Sequence, residues 1–305
     1  MSADRPGWQG SLSNRLVALS VSNSPDLARL GLLKRSLDQT VSALATGLVC
    51  FGARVVYGGN LDKSGFTYLL YPMIAQAYAT AATRASRPRF VHYVSAYLAQ
   101  DNAELAAHLK AVGSFAEIRL VDSSREVTSI IMSGNEMVCR SPQGERRVQS
   151  MPDLQAFVAD LPRHSAGPPA DLDAMREAME NDVSARIVLG GGVTGYSGSK
   201  PGILHETLLA LQKGHPVYLL GGFGGAARDA AIALGLLQAS DALAHDKVGP
   251  GYQESIEAIG AFAERYRSAA DAAGNWDDLV AASKAEDPEQ AAKCVMRALS
   301  RRMAI

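Results

Sequence analysis

Short apolar runs alternate with segments of helical pattern along most of this 305-residue chain. A short apolar run between turn signals is typical of a strand that is buried on both faces of a sheet. Strands separated by helices pair in parallel, because a helix is the usual crossover between parallel strands. The alternation therefore predicts an α/β protein with a parallel sheet flanked by helices. The predicted strands are residues 16–21, 53–57, 90–94, 116–121, 186–189 and 216–220.

The clearest helical signal follows the first strand. Leucine and valine recur every three or four residues from Leu27 to Leu48, which draws one apolar stripe. Ser24 can cap such a helix, the following proline suits its first position, and Asp26 favours its positive end. We therefore predict a helix from residue 26 to Gly52. The other predicted helices are residues 65–85, 102–112, 171–180, 203–212 and 226–237, then two or three helices from about residue 251 with a break at 274–276.

The same pattern predicts the domain organisation. Residues 1–11 are small and polar and form a flexible lead-in. Residues 12–245 carry the alternating pattern and form one domain, while residues 246–305 form a helical C-terminal extension. The alternation breaks at residues 123–170, which include a polar turn and a segment rich in proline and glycine. We interpret residues 123–170 as an insertion that carries one or two helices.

Composition and charge exclude several classes of protein. Hydrophobic residues make up 47% of the chain, too many for a disordered protein. The formal net charge of −1, from 30 basic and 31 acidic residues, argues against a strongly electrostatic nucleic-acid binder. The longest uncharged stretch is too short and too mixed to span a membrane. Three cysteines without a paired motif and an N-terminus without a signal sequence predict the cytoplasm. The histidines show no metal-ligand spacing, and no metal or cofactor is expected.

Glycines cluster where predicted strands end, after the strands at 53–57, 186–189 and 216–220. Ligands of open α/β sheets bind at the carboxyl ends of the strands, where glycine lets backbone N–H groups approach closely and the next helix favours an anion. The alternative is that these glycines make tight turns. The dinucleotide fingerprint and the GK[ST] phosphate loop are both absent, which argues against an ordinary dehydrogenase or ATPase. Taken together, the clusters predict a site for a nucleotide or a phosphorylated sugar.

Four segments resemble the SLOG superfamily, the Rossmann-like group that includes the Smf/DprA proteins and the LOG phosphoribohydrolases. They begin at Ser20 (SVSNSPDL), Tyr57 (YGGNLDKSGFT), Leu189 (LGGGVTGYSGSKPGILHE) and Tyr218 (YLLGGFGGAAR). In particular, the chain resembles stand-alone bacterial SLOG proteins found near immunity-related genes. The resemblance covers roughly residues 12–240 and implies a Rossmann-like fold. It does not fix the activity, because the superfamily includes both enzymes and ligand sensors.

The resemblance also implies a candidate catalytic residue. LOG enzymes carry a PGGxGTxxE segment whose glutamate serves N-glycosidic cleavage, and the matching stretch here runs from Pro201 to Glu206 without the Gly-Thr step. Helical side chains lean toward the N-terminus, so Glu206 is expected to point toward the loop at 190–192 and a ribose bound there. The alternative is a solvated acid in the first turns of the helix. We expect the neighbouring His205 to be a surface or packing residue.

The other candidate residues are ligand-binding. Arg228 can reach a phosphate over the loop at 221–225, or it can be a surface or salt-bridged residue. Phe66 can stack on a base or pack in the core, and Ser22 with Asn23 ends the first strand. The predicted ligand-binding residues are Ser22, Asn23, Gly58, Gly59, Asn60, Asp62, Phe66, Thr67, Gly190, Gly191, Gly192, Gly195, Pro201, Gly202, Gly222, Gly224, Gly225 and Arg228.

These observations predict a protein that binds a nucleotide-derived ligand containing adenine and ribose. The resemblance implies a role in nucleotide signalling or anti-phage defence, with ligands derived from NAD. The alternative is a hydrolase that cleaves an N-glycosidic bond with Glu206. A third class, a single-stranded DNA protein of the Smf/DprA type, is disfavoured by the net charge and the 6% aromatic content. We expect self-association, an effector protein as a further partner, and no membrane.

Overall fold

The computed structural model describes residues 12–59, 65–80, 88–100, 105, 109, 113–163, 165, 167–198 and 200–303. The chain divides into two compact units. Unit 1 combines residues 1–53 with residues 184–305, and unit 2 is residues 54–183. The predicted lead-in and most of the predicted helix at 102–112 lie outside the described residues.

The strands, in chain order, are β1 (Leu16–Ser22), β2 (Arg54–Gly58), β3 (Phe90–Ser95), β4 (Ala116–Val121), β5 (Val127–Ser133), β6 (Glu136–Ser141), β7 (Gly144–Val148), β8 (Ala185–Gly190) and β9 (Val217–Leu220). The helices are α1 (Lys34–Cys50), α2 (Phe66–Thr80), α3 (Ala96–Gln100), α4 (Met151–Ala159), α5 (Pro168–Asp182), α6 (Gly202–Lys213), α7 (Gly225–Ala233), α8 (Tyr252–Gly260), α9 (Ala263–Ala272), α10 (Trp276–Lys284) and α11 (Pro288–Met303).

Unit 1 contains three parallel strands in the order β1–β8–β9. Ser22 lies opposite Gly190 in the register, and Leu189 lies opposite Leu220, so the three strands end at one edge. Their residues are almost all buried, which matches the continuous apolar runs in the sequence. Helix α6 connects β8 to β9 as the crossover of a parallel pair.

Unit 2 combines parallel and antiparallel pairing in the order β7–β6–β5–β4–β3–β2. Strands β2, β3 and β4 are parallel, and α2 connects the first two. In both units parallel strands are therefore linked through helices, and the predicted α/β, Rossmann-like class is confirmed. Strands β5, β6 and β7 form an antiparallel meander that sequence analysis missed. Their tight two-residue turns and mixed polarity gave only a weak alternating pattern.

The first predicted helix begins later than expected, at Lys34 rather than residue 26. Residues 25–31 form turns instead, and Gly31 takes the left-handed conformation that ends them. Ser24 does accept a hydrogen bond from the backbone N–H of Asp26, at 3.2 Å, but no helix follows it. The apolar stripe from Leu37 to Leu48 is buried as predicted. The predicted helical period is therefore confirmed, and the predicted start of the helix is wrong.

The C-terminal helices belong to unit 1. Four helices, α8 to α11, occupy the described part of residues 246–303, where the sequence predicted two or three, and the predicted break is present at Gly274 and Asn275. Ile259, Val295 and Leu299 are fully buried. Helix α11 packs against both α1 and α10. Residues 246–303 therefore contribute to the core of unit 1.

Candidate functional site at the carboxyl ends of the unit 1 strands

The loops that follow β1, β8 and β9 contact one another at one edge of unit 1. The carbonyl of Ser22 accepts a hydrogen bond from the N–H of Gly191 at 3.2 Å, and the carbonyl of Gly191 accepts one from Ala226 at 3.1 Å. Ser22 is half-buried and Asn23 is exposed. The structure thus brings together the predicted site residues that follow these three strands.

Close packing of backbone on backbone explains two of the glycines. A Cβ on Gly190 would lie 2.1 Å from the carbonyl oxygen of Ser22, and a Cβ on Gly225 would lie 2.4 Å from that of Gly191. Both glycines also have positive φ angles, near +69° and +67°. Glycine is required here because the three loops cross at short range. Gly191 also has a positive φ angle, but it packs against side chains, because a Cβ on it would lie 2.9 Å from Ala226 Cβ.

The N-terminus of α7 is closed by a carboxylate of the protein itself. Asp26 Oδ2 accepts a hydrogen bond from the N–H of Gly225 at 2.7 Å, and Asp26 is 1% exposed. Gly224 also packs against Asp26, since a Cβ on Gly224 would lie 2.6 Å from Asp26 Cβ. A helix N-terminus favours negative charge, and Asp26 supplies that charge. The position predicted for a bound phosphate over this glycine loop is therefore occupied by an acidic side chain.

Asp26 belongs to a cluster of charged and polar side chains. His245 Nδ1 lies 3.8 Å from Asp26 Oδ1, and His245 Nε2 lies 3.5 Å from Asp229 Oδ2. Tyr252 donates a hydrogen bond to Asp229 Oδ2 at 2.7 Å. Burial raises the pKa of Asp229, and this effect outweighs the opposing hydrogen bond from Tyr252 and the attraction of His245. The cluster joins α7, α8 and the segment between them to the end of β1.

Arg228 is used within the fold. Its Nε donates to the carbonyl of Asp241 at 2.7 Å, and an Nη donates to the carbonyl of Gly221 at 3.1 Å. The guanidinium therefore stabilises the turn after β9. The sequence did not predict that its partners are backbone carbonyls. Gly222, in the same turn, is also closely packed, because a Cβ on it would lie 2.2 Å from the carbonyl oxygen of Ala285.

The N-terminus of α6 differs from that of α7. In the described part of the chain it has no side-chain cap at Pro201 and no acidic residue in the first turn, which begins at Gly202. The loop before it contains Gly192, which is half-buried, and Gly195, which is exposed, has φ near +69° and has open space where a side chain would be. Lys200 is exposed directly before the helix. This end of unit 1 can accept an anion.

Glu206 lies inside unit 1. Its Oε2 accepts a hydrogen bond from Ser20 Oγ at 2.6 Å and one from an Nη of Arg186 at 2.7 Å. Arg186 is completely buried and Glu206 is 7% exposed. Ser20 and Arg186 lie two and four residues before Ser22 and Gly190, where their strands end. The carboxylate is thus directed at the face of the sheet rather than at the glycine loop, because the buried arginine requires a counter-charge.

Two further expectations about α6 have clear outcomes. The interpretation of Glu206 as a solvated acid is wrong, because the side chain is buried in an ion pair. His205 is 8% exposed, as the packing interpretation predicts. The sequence predicted that Glu206 points toward the loop at 190–192, whereas its hydrogen-bond partners Ser20 and Arg186 lie on two strands.

The remaining predicted site residues lie in unit 2. Gly58 ends β2 against Met179, and a Cβ on Gly59 would lie 2.4 Å from the ring of Tyr57. Phe66 and Thr67 occupy the first turn of α2, and both are buried, as the core-packing alternative for Phe66 predicts. Outside the described residues lie two predicted ligand contacts, Asn60 and Asp62.

Sequence analysis missed several residues of this edge. Arg186 interrupts an otherwise apolar strand, and a charge in such a run is the signal of a buried ion pair. The sequence placed Asp26 in the first turn of the helix that follows β1, so its role as the cap of α7 was not predicted. No local pattern distinguished Asp229 or His245. These residues lie far apart along the chain and meet only through the fold.

The comparison with known families agrees with this architecture. A family profile described as SLOG cluster2 matches residues 11–293, which is most of the chain. The chain belongs to the SLOG cluster2 family. Membership in SLOG fits the binding or processing of a nucleotide-related ligand. No curated protein matches the chain.

Two further properties of this SLOG protein concern membranes and metals. None of the helices in the described ranges is long and apolar enough to cross a membrane. Within the same ranges, no group of three or more histidine, cysteine, aspartate or glutamate side chains is arranged to hold a metal ion.

Proposed function

We propose that unit 1 binds a nucleotide-derived ligand that contains adenine and ribose, as derivatives of NAD do. The observation that carries this proposal is the contrast between two helix N-termini at the same edge. Asp26 caps α7, whereas α6 has no side-chain cap and no first-turn acid in its described residues. A phosphate group is attracted to an uncapped N-terminus. The proposed position of the phosphate is therefore the loop at 192–202.

The ion pair of Glu206 supports phosphate binding at this loop. A free carboxylate on α6 would repel a phosphate, but the charge of Glu206 is balanced by Arg186 at 2.7 Å. The pair also directs the carboxylate into the sheet face. A glycosidase needs its carboxylate against the anomeric carbon of the substrate. The position of Glu206 therefore favours binding over N-glycosidic cleavage.

The test is mass spectrometry of the purified protein incubated with NAD, ADP-ribose, cyclic ADP-ribose, AMP and ATP. Both the solution and the protein-bound fraction are analysed. We expect an unaltered nucleotide to be retained by the protein. Release of a free base would contradict a pure binding function and establish the hydrolase.

Lys200→Gln locates the phosphate group of the retained nucleotide. We expect the substitution to weaken nucleotide binding about tenfold while leaving binding of the corresponding nucleoside unchanged, because only the phosphates contact this end of α6. Lys293→Gln, which removes an exposed charge on α11, is the matched control. Equal losses for both variants, or none for Lys200→Gln, would place the phosphate elsewhere.

The output of such a binding protein requires a second component. We propose that ligand binding changes self-association or recruits an effector protein, in nucleotide signalling or anti-phage defence. Light scattering coupled to size exclusion measures the mass of the protein with and without the retained nucleotide. A change in mass supports self-association. An unchanged mass directs the search to co-purification of an effector from the native host with and without the nucleotide, and its absence there too would contradict the signalling role.

A further inference from the structure

The sheet of unit 2 has an open edge at β7. This strand is the last in the order of the unit, and β6 is its partner among the described strands. Residues 144–147 are exposed, and only Val148, at the end of the strand, is buried. The backbone N–H and C=O groups along such an edge can pair with another strand. The edge of β7 is therefore a candidate interaction surface.

The turns of the meander determine which backbone groups of β7 face this edge. Residues that flank a two-residue hairpin turn exchange two backbone hydrogen bonds, and every second pair of an antiparallel ladder does the same. Gly144 flanks the two-residue turn after β6, so Arg146, opposite Cys139, also exchanges its bonds with β6. The turn between β5 and β6 has two residues as well and gives β6 the same alternation. The N–H and C=O groups of Glu145 and Arg147 therefore point away from β6, toward the free edge.

Glu145 and Arg147 also carry opposite charges on one face of the sheet. Each makes an ion pair with a residue of β6 on this face, at 3.0 Å for Glu145 and 3.2 Å for Arg147. Successive residues of a strand alternate between faces, so Arg146 lies on the other face. Its guanidinium carbon is 5.7 Å from the centre of the Phe157 ring in α4. The outward-facing backbone groups of β7 thus belong to one acidic and one basic residue that share a face.

A second copy of β7 complements this edge in one antiparallel register. When two copies align about Arg146, Glu145 of each copy lies opposite Arg147 of the other. Two such pairs form because the arrangement is two-fold symmetric, and each pair exchanges two backbone hydrogen bonds. Opposite charges directly across an antiparallel pair are stabilising, whereas alignment about Glu145 or about Arg147 would place like charges opposite each other. The residues that offer backbone groups are therefore the same residues that pair by charge.

Two features limit the strength of this pairing. Arg146 faces its counterpart of the second copy in a pair without backbone hydrogen bonds, and like charges at such a position are unfavourable. A strand of five residues also buries less surface than a permanent dimer requires. We therefore expect a reversible dimer whose affinity depends on the charges of β7.

We propose that unit 2 binds a second copy of this chain through antiparallel pairing of the two β7 edges, centred on Arg146. The occupant of the edge is a second copy because β7 is complementary to itself in both backbone groups and charge. The proposal is independent of nucleotide binding in unit 1, so it concerns the protein without ligand.

Sedimentation velocity of the full chain without nucleotide tests the existence of the dimer. Across concentrations from about 1 to 500 µM, we expect a reversible monomer–dimer equilibrium with a Kd of about 1–100 µM. A monomeric mass over the whole range overturns the proposal.

Charge reversal shows whether β7 is the interface. Arg147→Glu and Glu145→Arg each place like charges opposite each other, and each should weaken the dimer at least about tenfold. An equal mixture of the two variants should dimerise again, because every acidic residue then faces a basic one across the pair. Arg35→Glu, at an exposed position on α1, is the matched control and should dimerise like the wild type. Single variants that dimerise normally, or a mixture that stays monomeric, would overturn the proposal, and circular dichroism verifies that each variant is folded.

A cysteine at the two-fold axis tests the register. Partners without backbone hydrogen bonds have Cα atoms about 4.5 Å apart, within the range of a disulfide. Arg146→Cys in a Cys50→Ser background, which removes the exposed native cysteine, should therefore give a covalent dimer on mild oxidation. Glu145→Cys in the same background is the matched control, because its counterpart lies about 7–8 Å away on the diagonal. Equal crosslinking of both variants, or none for Arg146→Cys, would contradict the proposed pairing.

Discussion

At the scale of single residues, buried polar groups carry most of the information about this protein. Arg186 lies inside the sheet of unit 1 and is neutralised by Glu206, with Ser20 completing the group. Removing one partner of a buried pair leaves an uncompensated charge, which is far more unfavourable than removing the whole group. Glu206 is therefore a structural residue of unit 1 whatever else it contributes.

This arrangement predicts the effect of Glu206→Gln on stability. We expect the free energy of unfolding to fall by about 3–5 kcal/mol, because the buried Arg186 loses the negative charge of Glu206 at 2.7 Å. The triple variant Ser20→Ala/Arg186→Met/Glu206→Leu should recover most of this loss, since no charge remains. Urea unfolding followed by circular dichroism measures both. A stable Glu206→Gln protein would show that the arginine finds another partner or reaches water.

At the scale of secondary structure elements, the two helices that begin at this edge of unit 1 differ in what lies at their N-termini. Asp26 comes from the turns after β1 and closes α7, while α6 begins at Pro201 without a side-chain cap. The sequence predicted α6 closely, because its apolar period and flanking Pro-Gly and Gly-His steps are local signals. It misplaced the start of α1, because Asp26 has the local signature of a first-turn acid.

The role of Asp26 at α7 predicts a graded mutational response. Asp26→Ala should lower the free energy of unfolding by about 1–2 kcal/mol, through loss of the cap on Gly225. Asp26→Asn should have a smaller effect, since its amide oxygen still accepts the hydrogen bond while the charge at the helix end is lost. The comparison uses thermal and urea unfolding. If the Asn variant is as unstable as the Ala variant, the charge matters more than the hydrogen bond.

At the scale of the whole molecule, unit 2 depends on a buried carboxylate for part of its stability. In unit 2 the buried carboxylate of Glu117 pairs with Arg54 and Arg119, each at 2.6 Å. Burial by itself raises the pKa of Glu117, but the hydrogen bond from Arg119 and the charges of both arginines together hold it below 4.5. A carboxylate whose pKa is depressed by folding stabilises the folded state at pH values above its pKa in the unfolded chain. This stabilisation is lost as the pH falls through the pKa of the group in the folded state.

Unit 2 should accordingly lose stability in acid. We expect the urea midpoint of wild-type unit 2, within the full chain, to fall as the pH drops below about 4.5. Glu117→Gln should be less stable at neutral pH and should show a shallower decline in acid, because the titrating group is gone. Hydrogen exchange of β4 amides reports on this unit specifically. A decline of the same slope in the variant would assign the acid sensitivity to other carboxylates.

The sequence alone determined the alternation of strands and helices, the family and the position of the glycine loops at the strand ends. These features are local or depend on chain order, so the pattern of one segment is enough to reveal them. Only the tertiary structure decided that Asp26 caps the helix after the glycine loop at 221–225 and that Glu206 points at Arg186. Asp26 lies 199 residues from Gly225 and Ser20 lies 186 residues from Glu206. Contacts between residues so far apart in the chain arise from how the strands pair side by side in the sheet, which no single segment encodes.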